Sequence, residues 1–332
     1  MNRSLLIGFA LAFAIAVPGG MVQSANAEEA TVIRFATLAP HGSAFMKIMR
    51  AWDASLRKGT DNKVMLRYYS GGSQGDERDF MRKVRAGQMD AAGVSTTGLG
   101  IVVRPVLVLT APGLIRDYDQ LNRVRQSLDS KFEKMFEDAG FKLIAWGDAG
   151  KNLLFSTTEF SKPSDFKSRR PWAWKDDPVF TEFVKMTGAN PVRLPLGEVY
   201  PGLQTKMVDT VPASALGAVA LQWYTKLGYM TKQNINMIVG ASVMKKEKFD
   251  ALTKQQQDVL VDTGKRAALA LNKLVMRDDE TSRQTLLKRG LKEIDLSPHQ
   301  AEWDEVAKKT REGLAGRVYS KELLKAVEDA AK

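Results

Sequence analysis

The chain has 332 residues, 49 Lys and Arg against 38 Asp and Glu, a net charge of +11 and no cysteine. Without cysteine there is no disulfide framework, so a hydrophobic core must hold the fold, and the length suffices for two domains. The charge first suggests nucleic acid, but the cations are interleaved with acids, as in Lys245-Lys246-Glu247-Lys248, and no helix-turn-helix, RNP or zinc-finger spacing occurs. A solvated surface, with no nucleic-acid partner, is the expectation.

In chain order, Arg3 is the only charged residue before Glu28. Leu5–Val17 is unbroken by polar side chains, Pro18-Gly19-Gly20 ends the run, and Ala25-Asn26-Ala27 is a small-x-small site. This is the layout of a secretory signal peptide, residues 1–27, cut after Ala27. Thirteen apolar residues fall short of the roughly 20 that span a bilayer as a helix. The expected product is a periplasmic protein with no stable membrane insertion.

Val32–Ala36 alternates like a strand, Ser43 is placed to cap a helix, and Phe45, Ile48, Met49, Trp52 and Leu56 follow at helical spacing. Val64–Tyr69 reads as a strand, the region of Phe80 and Val84 as a helix, and Asp90–Val94 as a short buried strand. A helix over about 119–139 stops at Gly140, and Phe141–Trp146 is strand-like. A second unit starts near Asn152: strand 170–174, helix 178–187 closed by Gly188, strand 192–195, helix 200–207 and strand 208–211. The pattern from Thr253 to Arg289 is one long helix, kinked or divided. This βαβα order predicts an α/β fold with a parallel sheet covered on both faces.

Three stretches resemble the substrate-binding proteins of tripartite ATP-independent periplasmic (TRAP) transporters. They are residues 33–52, residues 68–100 and, most specifically, residues 188–210. In the last, Gly188, Ala189, Pro191, Pro195, Glu198, Tyr200, Leu203, Gln204, Val208 and Asp209 match in register, while Gly202, Lys206 and Thr210 depart. The resemblance covers nearly all of the chain after the signal segment. It implies a two-domain clamshell with a central hinge and a long bridging helix. The lobes are expected at 28–150 plus about 238–275, and at 151–237 plus about 276–332, the last stretch including bridging C-terminal helices. It also implies membrane transporter subunits as partners.

The departures fall where that family contacts its ligand. Asp165-Phe166-Lys167-Ser168-Arg169-Arg170-Pro171-Trp172 resembles a family stretch that closes on an arginine, the clamp for an organic acid's carboxylate. A carboxylate suits a planar two-pronged cation, whereas an indole offers one N–H and an apolar face. A second family arginine falls on Asn152, and a polar run of the family is Pro212-Ala213-Ser214 here. The expected ligand is therefore hydrophobic or amphipathic. The candidate contacts are His41, Thr96, Thr97, Asn152, Phe155, Trp172, Trp174, Tyr200, Pro212, Ala213, Ser214 and Trp223. For the tryptophans, a place in the core is the competing explanation.

No His-Glu-x-x-His or P-loop occurs, and two distant histidines make no zinc site, so neither enzyme, cofactor nor metal is expected. Three alternatives stay open: a lipid or sterol-type shuttle with a different partner, an organic-acid binder with a relocated cation, and an exported hydrolase.

Overall fold

The structure, a computed structural model, describes residues 30–332. The expected signal peptide and its cleavage site lie outside the described residues. No helix among the described residues is long and apolar enough to cross a membrane.

The chain starts with β1 (Thr31–Thr37), α1 (Ala44–Gly59), β2 (Val64–Tyr69), α2 (Glu77–Arg85), β3 (Ala91–Ser95), α3 (Thr96–Leu99) and α4 (Tyr118–Asp138). The helix α1 forms where Ser43 accepts a hydrogen bond from the Met46 N–H, and it buries Met46, Met49, Trp52 and Leu56, a stripe of helical period. β1 lies between β2 and β3, parallel to both. The strand β4 (Phe141–Ser156) leads to β5 (Trp172–Trp174), α5 (Pro178–Met186), β6 (Val192–Leu194), α6 (Val199–Gln204), β7 (Thr210–Ala213), α7 (Ala215–Ala220) and β8 (Tyr229–Thr231). The chain then returns through β9 (Asn236–Lys245), α8 (Lys246–Asp250), α9 (Lys254–Lys288), β10 (Lys292–Ile294), α10 (Gln300–Leu314) and α11 (Lys321–Ala331).

The main sheet runs β10-β8-β4-β9-β3-β1-β2, with β7 also on β4, and β5 pairs β6 separately. The expected parallel sheet is corrected to a mixed one. β9 is antiparallel to β3 and to β4, and β4 is antiparallel to β7 and β8. The reason is the route of the chain: β4 carries it into the second lobe, and β9 brings it back in the opposite direction after β5–β8, so the two crossing strands pair antiparallel. The predicted break between Trp146 and Asn152 is absent as well. β4 runs through it, with register shifts between Leu143 and Ala145 and between Asp148 and Gly150. Gly147, Asp148 and Gly150 interrupt the apolar alternation there, so the pattern looked like an end when it is a bend.

Two hydrophobic clusters lie around β1–β3 and two around β5–β8 and α10. These are the cores of two lobes, joined by β4, β9 and the 35-residue α9. α9 is a single helix whose capping box pairs Thr253 with Gln256, and it packs on α1, β4 and α7. α11 packs on α4, and Leu323 and Val327 join the cluster of Phe132 and Phe136, on the side of the first lobe.

Candidate functional site

A cavity of about 660 Å³ lies where the two lobes meet β4, β9 and α9. The first lobe contributes the loop before α1 with Leu38 and His41, Phe45 in the first turn of α1, and the β3–α3 junction with Thr96 and Thr97. The second contributes Trp172, Trp174, Phe180, Leu196, the run from Pro212 through Ser214 into α7, and Trp223. The crossing strands add Trp146, Asp148 and Asn152 from β4 and Asn236 and Met237 from β9.

Trp172, Trp174 and Trp146 show rings rather than N–H groups. Trp172 donates its indole N–H to the Leu194 carbonyl at 3.0 Å, because β5 and β6 pair side by side and leave that carbonyl within reach. Its ring stands 5.8 Å from Trp174 and edge-on to Trp223 at 5.4 Å. Trp174 donates to Asp76 Oδ2 at 2.9 Å and Trp146 to Asp129 Oδ1 at 2.6 Å. With their donors engaged, these three indoles can offer a ligand dispersion and ring contacts only.

Three carboxylates reach the wall, and each has donors within the protein. Glu77 accepts from the Ser95 N–H at 2.7 Å, the Ser95 hydroxyl at 2.7 Å and the Gly98 N–H at 2.9 Å. Asp148 forms a two-pronged pair with Arg125, at 2.5 and 3.2 Å. Asp177 caps α5 through the Val179 and Phe180 N–H groups at 2.8 and 3.0 Å, and burial raises its pKa. Among the described residues, no Lys or Arg side chain lines the cavity. No group of three or more His, Asp or Glu among them is placed to hold a metal ion.

Burial pushes Glu77 up to about 7, against the Ser95 and Gly98 donors that favour its charged form. Between its ordinary range near 4.5 and about 7, the folded chain holds a proton that the unfolded chain has released. Stability from this group is therefore greatest below that window and falls as pH rises through it, by at most about 1.4 kcal/mol per pH unit. Urea denaturation of the wild type and Glu77→Gln from pH 4.5 to 7 should show a steeper fall in the wild type than in the variant; parallel curves would refute it.

His41, Thr96, Thr97, Asn152, Trp172, Trp174, Pro212, Ala213, Ser214 and Trp223 are placed on the wall. Phe155 and Tyr200 are not. Phe155 is fully buried, facing Val211 and Met230 across β4, because its position in the alternation turns it into the second lobe's core. Tyr200 stands on α6 with its hydroxyl 3.3 Å from Thr225 Oγ1 and Lys226 over its ring, while Leu196, ahead of that helix, reaches the cavity in its stead. Asn152 donates to Asn236 Oδ1 at 2.9 Å, and Asn236 donates to the Thr110 carbonyl at 2.5 Å.

The sequence reading missed the wall of α9: Gly264, Ala267, Ala268, Leu271, Leu274 and Val275. Their spacing marks one helical face, and its small residues are the signal that something other than packed core lies opposite. The reading also missed Trp146, whose strand seemed to end there, and the three wall carboxylates.

The family model for bacterial extracellular solute-binding proteins, family 7 (DctP), matches residues 35–314. The 2,3-diketo-L-gulonate-binding periplasmic protein YiaO of Escherichia coli is 24% identical over 282 residues, 82% of this chain and 84% of that protein. The ectoine/5-hydroxyectoine-binding periplasmic protein UehA of Ruegeria pomeroyi is 23% identical over 74% of this chain and 73% of its own. Among solved structures, a TRAP periplasmic solute-binding protein from Roseobacter denitrificans with bound β-D-glucuronate superposes with a TM-score of 0.81 at 20% identity, over 90% of this chain and 99% of that one. One from Desulfovibrio salexigens with bound orotic acid gives 0.84 at 19% identity, over 90% and 98%. Lobes, crossing strands and long helix thus agree with the extent of the family match, and the chain belongs to the DctP family of extracellular solute-binding proteins of TRAP transporters.

Proposed function

We propose that this chain captures a neutral hydrophobic or amphipathic small molecule between its lobes and delivers it to the membrane subunits of a TRAP transporter. One observation carries the ligand class: among the described residues, the cavity wall holds tryptophans and aliphatic side chains but no cation. An organic acid seated there would lose its hydration with no countercharge in return, a penalty of several kcal/mol. The carboxylates of the wall offer it no countercharge either, and Arg125, beside Asp148, is already paired with it. An apolar ligand would instead gain roughly 25 cal/mol for each Å² removed from water. Glucuronate and orotic acid are the ligands of two relatives; the lack of a wall cation is where this chain departs from what such ligands need.

On this reading His41, Thr96, Thr97 and Ser214 supply hydroxyl and imidazole groups that orient the ligand. Trp172, Trp174, Trp223, Pro212 and Ala213 supply apolar contact, and Asn152 stands where the family has a cation. The lobes close about the β4–β9 hinge, and bound ligand shifts the population toward the closed form. We place the first lobe at 28–150 plus about 238–275, with α11 returning to it, and the second at 151–237 plus most of the remainder.

Native mass spectrometry of the purified protein, followed by solvent extraction, tests the ligand class. A neutral apolar or amphipathic molecule should be retained and released into organic solvent, and glucuronate should give no thermal shift. A retained organic acid that glucuronate displaces would overturn the proposal.

A further inference from the structure

We infer that Asp76 is a positioning residue that latches the two lobes by holding Trp174 in the cavity wall. Asp76 caps α2. Its Oδ1 accepts from the Glu77 N–H at 2.8 Å, and its own N–H donates to Asp79 Oδ2 at 3.0 Å. The other oxygen leaves the helix altogether. Oδ2 accepts from Trp174 Nε1 at 2.9 Å and from the Leu196 N–H at 3.0 Å. α2 packs on β3 and α3 in the first lobe, whereas Trp174 and Leu196 pack with the apolar cluster of the second. A single carboxylate oxygen thus takes two donors from the opposite lobe, 98 and 120 residues away in sequence.

Hydrogen bonds to an ionised carboxylate are the stronger kind. Arg78 and Asp176 add an ion pair at 2.8 Å beside them, but the arginine side chain is 49% exposed, so its share is smaller. Both donors at Asp76 belong to residues of the cavity wall. Lobe closure and the position of the Trp174 ring are therefore one variable. A ligand seated against that ring stabilises the latch, and a ring displaced from the wall releases it. The inference concerns closure and holds whether the ligand is apolar or acidic, so it stands or falls separately from the proposed ligand class.

Two variants separate latch from fold. Asp76→Asn keeps an oxygen for the helix cap, where Asn serves as well as Asp, but turns an amide NH₂ toward the two N–H donors. Trp174→Phe keeps an aromatic wall and removes one donor. The chain has no cysteine, so Arg82→Cys on α2 and Lys185→Cys on α5, both exposed, accept spin labels on opposite lobes. Pulsed electron-spin distance measurements on the labelled protein should show each variant lowering the closed-to-open ratio on the order of ten-fold, the scale of losing one or two hydrogen bonds to a charged group. The double variant should fall little further than Asp76→Asn alone, because the two residues share one interaction. Thermal midpoints near that of the wild type separate this result from unfolding. Wild-type distances in Asp76→Asn, or a double variant whose effect is the product of the singles, would overturn the latch.

Discussion

Replacing Trp172 by arginine, the residue the family motif leads one to expect there, should lower stability by about 3–5 kcal/mol, the range for emptying a large aromatic site or stranding a buried charge. Trp172 is 3% exposed, and its surroundings are those of an indole: a carbonyl for its N–H and the rings of Trp174 and Trp223 on its sides. A guanidinium would keep one hydrogen bond to the Leu194 carbonyl and leave its other donors among rings. Stacking on those rings returns about 0.5–2 kcal/mol, less than the loss. The variant should also fail to gain affinity for glucuronate, because the rest of the wall supplies carboxylates and no further cation. Urea denaturation with a constant m-value measures the first effect and calorimetric titration the second. A loss below about 1 kcal/mol, or tight glucuronate binding, would show that the site still accommodates the acid clamp.

Elements with strong periodicity were legible in the sequence. The stripe of α1, the caps at Ser43 and Thr253, and the glycine after α5 each state their structure locally, and the structure has them within a residue or two. The site was partly legible, because residues 172, 174 and 212–214 stand in segments whose place in the fold the family motif fixes. What the sequence hid depends on contacts between distant segments. The middle of β4 looks like a loop because its bend needs glycine and its polar groups are answered from elsewhere: Arg125 for Asp148, and Asp279 for the Lys151 N–H. The α9 wall was hidden for a similar reason. Its helical period is plain, but whether an Ala-rich face meets core or cavity depends on what the lobes leave opposite it. Phe155 and Tyr200 were misplaced because nearness in sequence to a site says nothing about which way alternation or helix phase turns the side chain.

That bend in β4 carries the other large effect. Gly150→Ala should destabilise the protein by about 3 kcal/mol or more, combining a disfavoured backbone with overpacking. Gly150 has φ +106°, outside what an L side chain adopts readily. A Cβ there would also stand 2.7 Å from Ser214 Cβ and 2.8 Å from Asp279 Cγ. Neither neighbour is free to move. Asp279 is buried on α9 and accepts from the Lys151 and Leu216 N–H groups, both at 3.0 Å, so it ties β4, α7 and α9 together at one point. Ser214 caps α7, accepting from the Gly217 N–H at 3.1 Å, and lines the cavity. The methyl group would thus press on the hinge strand, on the bridging helix and on the cavity wall together. Ligand affinity should fall with stability, whereas Gly140→Ala, also at positive φ but with nothing within 4 Å of its Cβ, should show only the backbone part, about 1–2 kcal/mol. Equal losses at the two glycines in matched urea titrations would mean that the crowding at position 150 relaxes freely, and that the junction of β4, α7 and α9 is softer than its packing implies.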